Sequence, residues 1–162
     1  MQTKYITSRL ELHKLTEADH KFIYELVNSP NWLEFISDGK TKTEGQTSDY
    51  IQKIIDNPTC TYWVVKLQAE HLPIGVITFM KRNYLEYYDI GFAFLPQKTK
   101  QGYAFEATAI VLSDALTTMP HILAVTVPHN IKSIRLLEKL GFCYSTELIR
   151  ENERLLLYSI TI

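Results

Sequence analysis

The stretch Asp89-Ile-Gly-Phe-Ala-Phe-Leu-Pro-Gln-Lys-Thr-Lys-Gln-Gly-Tyr-Ala-Phe-Glu-Ala107 decides the reading of this chain. An apolar strand runs to Leu95, Pro96 ends it, and a polar, basic turn leads into a helix that starts at Gly102. Backbone amides in the first turn of a helix have no intrahelical partner and lie at the positive end of its dipole, so the turn offers a site for an anion. Gly102 has no Cβ to block close approach, Ala104 keeps the next turn slim, and Lys98 and Lys100 add positive charge. A pyrophosphate suits such a site. Taken alone, the segment is explained equally well as a solvated connection with ordinary surface lysines.

Working upstream, three runs rich in β-branched and aromatic residues predict strands over Thr61–Leu67, Ile74–Met80 and Glu86–Phe94, close enough together for an antiparallel meander. The chain opens with a predicted strand, Ile6–Leu12, that places Ile6, Leu10 and Leu12 on one face. Thr16 with Asp19 resembles a capping box, and the helix behind it carries Phe22, Ile23, Leu26 and Val27 and stops before Pro30. Asn31–Lys42 reads as a looser segment and Thr47–Asp56 as a second helix. Downstream, a helix over Gly102–Met119 precedes a strand over Ile122–Val127. A helix from Asn130 to Leu140 then stops at Gly141, and a hairpin follows from Phe142–Ile149 and Leu155–Thr161. Strands and helices in this order predict an α+β (mixed α/β) domain spanning 1–162, with helices packed on the faces of a mixed sheet.

Composition excludes several classes. With 46% hydrophobic and 22% charged residues and a formal net charge of −1, there is no whole-chain electrostatic case for nucleic acid or an anionic membrane. No run approaches the roughly 18 apolar residues of a membrane span, and the alternating N-terminal stretch lacks a signal peptide's apolar block, so a cytoplasmic location is expected. Cys60 and Cys143 form neither a CxxC pair nor a zinc spacing, so no metal site is expected, and both read as buried apolar residues.

A second constellation, Val125-Thr-Val-Pro-His-Asn-Ile-Lys-Ser-Ile-Arg-Leu-Leu-Glu-Lys-Leu-Gly-Phe142, ends a strand at Pro128 and starts a helix capped by Asn130, with Ser133 in its first turn. On local grounds alone Asn130 is a structural cap and Ser133 an ordinary hydrogen-bonding serine. The two constellations together resemble the GNAT superfamily of N-acetyltransferases, in the branch of the ribosomal-protein alanine acetyltransferases. The family's acyl-CoA signature falls on Thr99-Lys-Gln-Gly102-Tyr-Ala104 and is followed by Glu106-Ala107. The later pattern is matched by Asn130, Ser133, Glu138, Lys139, Gly141 and Phe142. Thr7-Ser-Arg-Leu-Glu-Leu is similar to the branch's opening strand. Departures are Thr99 for the signature's leading Gln or Arg, Lys100 for a frequent glycine, and Leu137 where many members place a thiolate-protonating tyrosine.

The resemblance implies the GNAT fold, a twisted and mostly antiparallel sheet of about seven strands with helices on both faces. It implies acetyl-CoA as co-substrate and direct transfer of the acetyl group to a primary amine, either a protein N-terminus or a small amine such as a polyamine. A catalytically silent acyl-CoA-binding protein on the same fold is the alternative. Phe92, Ala93 and Phe94 would lie along the pantetheine, Lys100, Gln101, Gly102, Tyr103, Ala104 and Phe105 would cradle the pyrophosphate, and Asn130 would contact the pantetheine. Ser133 would meet the departing thiolate. Glu86 and Tyr88, at the strand parity of Phe92 and Phe94, are the candidates for the base, with Asp89 ranked below them on parity; Trp32 and Phe35 would line the acceptor site. Neither constellation distinguishes a monomer from a homodimer.

Overall fold

Side chains of successive strand residues point to opposite faces, so a strand buried on both sides reads as a nearly continuous apolar run. Trp63, Val64 and Val65 are such a run and are fully buried. In the computed structural model, which describes residues 1–162, the chain opens on β1 (Lys4–Ile6) and β2 (Leu10–Lys14), two antiparallel strands where one was expected. The polar Thr7–Arg9 segment makes the turn between them. The Thr7 hydroxyl accepts from the Leu10 amide, and the Thr7 amide donates to the Leu10 carbonyl. The turn removes Ile6 from the shared face predicted for it, leaving it 63% exposed while Leu10 and Leu12 are buried.

The Thr16–Asp19 capping box forms, closing one 3₁₀ turn ahead of α1 (His20–Val27). Pro30 then starts a helix as well as ending one. The segment expected to be loose from Asn31 begins with α2 (Pro30–Phe35), because a proline in the first turn lacks only an N–H that would have had no partner. Thr43 and Gln46 cap each other reciprocally, so α3 (Glu44–Ile55) starts earlier than Thr47. The meander follows as β3 (Cys60–Leu67), β4 (Leu72–Met80) and β5 (Asp89–Phe94). Then come α4 (Tyr103–Leu116), β6 (His121–Thr126), α5 (Ile131–Lys139), β7 (Cys143–Arg150) and β8 (Glu153–Thr161).

The eight strands form one sheet in the order β1-β2-β3-β4-β5-β6-β8-β7. Splitting of the opening strand accounts for the count exceeding seven. One face packs under α4 and α5 through Trp63, Val65, Ile90, Phe94, Ala107, Val111, Leu137 and Phe142. The other packs under α1, α2 and α3 through Phe22, Ile23, Leu26, Trp32, Ile51, Val64 and Val76. Both cysteines are free thiols, but Cys143 lies exposed on edge strand β7 and Cys60 is half-buried, so the expected burial fails for Cys143. No helix is long and apolar enough to cross a membrane.

Candidate active site

The break in the sheet makes the site. β5 and β6 run parallel and are paired only at Asp89 and Leu123, where the Leu123 amide donates to the Tyr88 carbonyl at 2.9 Å. Beyond that point the two strands separate. The other edge of β5 is zipped to β4 as far as Leu95, whose amide donates to the Ile74 carbonyl. Hydrogen-bonding direction alternates along an antiparallel strand, so the odd residues turn toward β4 and the backbone groups of Phe92 and Phe94 face the gap. They are the polar groups a strand-like ligand would pair with.

A cleft of about 640 Å³ fills one side of this gap. Phe92, Ala93 and Phe94 line it from β5, Gly102, Tyr103, Ala104 and Phe105 from the start of α4, and Asn130 and Ser133 from α5. Its charged lining residues are Lys98, Lys100, Lys132, Arg135 and Lys139, and no carboxylate lines it. None of the five is in an ion pair. Lys139 instead lies over the Phe105 ring, 4.5 Å from its centroid. Five unneutralised cations in one cleft of a chain with net charge −1 make a strong anion field.

The turn before α4 is built from left-handed backbone. Gly102, the N-cap, has φ +81°, and Lys100 has φ +63°. Glycine takes this conformation freely, whereas a side chain there costs about 1–2 kcal/mol. At the other wall, the Asn130 side chain caps α5 by accepting from the Ser133 amide at 3.2 Å. α5 closes in a Schellman turn: Phe142 donates to Leu137, Gly141 donates to Glu138, and Gly141 has φ +94°. Leu137 is buried to 1% exposure and anchors the helix to the core. Ser133 is thereby held in the first turn, half-buried and lining the cleft.

A second cleft of about 400 Å³ opens on the far side of the gap. The two share Trp32, Phe35, Ile36, Phe92, Ala93, Asn130 and Ser133 as their common rim. Trp32 is buried, with its ring edge-on to Tyr50, while Phe35 reaches across to His129 at a centroid distance of 5.4 Å. The second cleft's own charged residues are Arg82, Asp89, Arg150, Glu151 and Glu153. Asp89, only 2% exposed, accepts from Arg82 Nε at 2.9 Å. Burial pushes its carboxyl above the ordinary range, and the Arg82 guanidinium opposes that rise without cancelling it. Arg150 stacks on Tyr84 at 4.2 Å, joining the β7–β8 turn to the β4–β5 connection.

Three expected site residues lie elsewhere. β5 starts at Asp89, so Glu86 lies in the Lys81–Tyr88 connection, whereas Tyr88 still packs on the core face of Ile90, Phe92 and Phe94. Glu86 is exposed beside Tyr87 and His121 in a separate surface depression. Tyr88 stacks on Phe79 with centroids 5.0 Å apart, and lines neither cleft. Gln101 does not line the cleft, and its carbonyl accepts from Arg9 Nη1. Asp89, ranked low for its opposite parity, is the acidic β5 residue that lines a cleft, because that parity faces the α1–α3 side. Sequence reading missed the α5 cations, although Lys132, Arg135 and Lys139 recur at i, i+3 and i+7 and so share one helical face. It also missed Arg82, which carries no local signal.

The chain matches the family model described as an acetyltransferase (GNAT) domain over residues 9–143. It is 30% identical over 137 residues to an uncharacterized N-acetyltransferase, YnaD, of Bacillus subtilis (strain 168), a match covering 83% of this chain and 79% of that protein. Among solved structures it is similar to a GNAT-family acetyltransferase from Bacillus anthracis, with 26% identity, TM-score 0.83 and 98% of each chain covered. It also has the fold of a ribosomal-protein-S5-alanine acetyltransferase from Vibrio fischeri, with 17% identity, TM-score 0.81, and 99% and 97% of the two chains covered. Splayed parallel strands, a glycine-started helix and a capped second helix thus sit on the fold these proteins share, and the chain belongs to the GNAT family of acetyltransferases.

Proposed function

We propose that this protein transfers the acetyl group of acetyl-CoA directly to a primary amine, a protein N-terminus or a small amine. The observation that carries this reading is the cleft at the β5–β6 gap, whose five lining charges are all cationic and whose floor offers the unpaired backbone of Phe92 and Phe94. A long ligand with an anionic head and an amide-bearing arm fits it: diphosphate at the α4 N-terminus, pantetheine along β5. Bound acetyl-CoA supplies the electrophile, since the amine nitrogen bonds to the thioester carbonyl carbon as the C–S bond breaks and coenzyme A leaves as a thiolate.

The protein's own groups divide the remaining work. The β5 amides hold the thioester arm and polarise its oxygen. Asn130 keeps α5 and Ser133 in place beside the arm, and the Ser133 hydroxyl meets the developing thiolate. The amine enters through the second cleft, past Trp32 and Phe35. Its surplus proton passes toward Asp89, the buried carboxylate whose raised pKa suits a base near neutrality better than an ordinary carboxylate would.

The test is release of free thiol from acetyl-CoA in the presence of a panel of N-terminal peptides and polyamines. Tight acetyl-CoA binding with no thiol release across the panel would leave the catalytically silent reading instead.

A further inference from the structure

Two sequence motifs at opposite ends of the coenzyme half meet behind its cleft wall. Arg9, in the β1–β2 turn, donates from Nε to Glu106 Oε2 at 2.7 Å and pairs with the same oxygen through Nη2 at 2.7 Å. Its remaining nitrogen, Nη1, donates to the Gln101 carbonyl at 3.0 Å, and its guanidinium plane lies 4.5 Å from the Tyr103 ring centroid. Glu106 Oε1 in turn accepts from the Thr7 hydroxyl at 2.6 Å, the Arg9 amide at 3.0 Å and the Ser8 hydroxyl at 3.1 Å. Every polar group of the guanidinium and of the carboxylate is therefore engaged, and Arg9 does not line the cleft.

What this network holds is the left-handed turn. Gln101 sits between Lys100 at φ +63° and Gly102 at φ +81°. Apart from the bonds of the α4 helix itself, Arg9 makes the hydrogen bond that reaches this tripeptide. Lys100 pays the conformational penalty of a side chain in that region, and the turn presents the α4 amides only while it keeps this shape.

We propose that Arg9, clamped by Glu106, is a positioning residue for coenzyme binding: it straps the Gln101 carbonyl and so holds the Lys100–Gly102 turn in the shape that receives the diphosphate. The inference rests on the acetyl-CoA reading of the cleft. It assigns the opening β1–β2 turn a part in cofactor affinity that touches neither substrate nor cofactor. A lysine at this position does not substitute, because one ammonium cannot reproduce the planar fork that spans Glu106 and Gln101 while stacking on Tyr103.

The experiment measures coenzyme A affinity by calorimetry, and steady-state KM and kcat, for wild type, R9M, R9K, K100G and the R9M/K100G double variant. Circular dichroism and thermal unfolding report the fold of each. The expected result is roughly a tenfold loss of coenzyme A affinity in R9M and R9K, the size of one lost charge-assisted hydrogen bond, seen as a raised KM for acetyl-CoA with kcat held within about twofold. Because glycine adopts the left-handed turn unaided, R9M should cost much less affinity in the K100G background than in the wild-type background, the loss of the Lys100 charge being common to both K100G variants and cancelling in the comparison. If R9M does not fold, E106Q keeps the shape of the clamp while removing its charge and should show the same KM rise to a smaller extent. Unchanged coenzyme affinity in a folded R9M or E106Q, or strictly additive effects of R9M and K100G, overturns the proposal. Failure of wild type itself to bind coenzyme A would instead overturn the reading of the cleft, so the two failures are distinguishable.

Discussion

At the residue scale the site depends on a few backbone positions. Gly102 has φ +81°, and a Cβ placed there would lie 3.3 Å from Arg9 Nη2. Gly102→Val forces a β-branched residue into left-handed backbone, at a cost of about 1–2 kcal/mol, and should weaken acetyl-CoA binding roughly tenfold with the overall fold retained. Calorimetry with coenzyme A reads the change directly. Unchanged affinity would remove the diphosphate from the α4 start. Ser133 is a different case: its amide is used in the cap and the residue lines the cleft. Ser133→Ala should lower kcat on the order of 10²-fold while the KM for acetyl-CoA stays near wild type. Wild-type turnover in that variant would end the proton-donor role.

At the element scale the sequence was legible wherever a segment carried its own signal. The Thr16–Asp19 box, the Gly102 start of α4, the Asn130 cap and the Gly141 Schellman turn all appear where local chemistry predicted them. Their hydrogen bonds close within a few residues, so neighbouring sequence suffices to specify them. Strand starts were less legible. Glu86–Tyr88 is aromatic enough to read as strand, yet the β4 register stops at Asp89 and only the Tyr88 carbonyl is bonded, to Leu123 of β6; pairing is a property of two segments. α5 shows how a missed pattern acquires meaning: Lys132, Arg135 and Lys139 form one cationic face, and only packing turns that face to the cleft. Replacing all three with glutamine should raise the KM for acetyl-CoA by about tenfold or more. The penalty should shrink as salt screens charge over a Debye length of about 8 Å near 0.15 M. A salt-independent penalty would point to lost packing instead.

At the scale of the whole molecule, binding and protonation report on the fold as a unit. Acetyl-CoA at 100 times its Kd should stabilise the protein by about 2.7 kcal/mol, seen as a raised thermal midpoint that depends on ligand concentration. Acid should do the opposite. Burial alone would raise the carboxyls of Asp19 and Glu106, but hydrogen bonds from His13 and Thr16 to the one, and from Thr7, Arg9 and Ser8 to the other, hold both below the ordinary range. A folded-state pKa below the unfolded one contributes stability that is fully present above the unfolded value, near 4, and lost as pH falls through the folded value. Urea midpoints measured from pH 6 downward should therefore drop as these groups protonate, and E106Q should make the drop shallower. An unaltered acid profile in E106Q would show that Glu106 carries no net stabilisation.

By itself the sequence determined the class of fold, the glycine-started helix after an apolar strand, and the capped helix of Asn130, because each is specified by bonds between near neighbours. The parting of β5 from β6, the all-cationic lining of one cleft and the entry of Asp89 into the other were decided only in three dimensions. Arg9 and Glu106 stand 97 residues apart in the chain. Each could be singled out by its motif, but no local rule joins them. The sheet brings the β1–β2 turn against the first turn of α4, and that juxtaposition holds the loop on which the start of α4 depends.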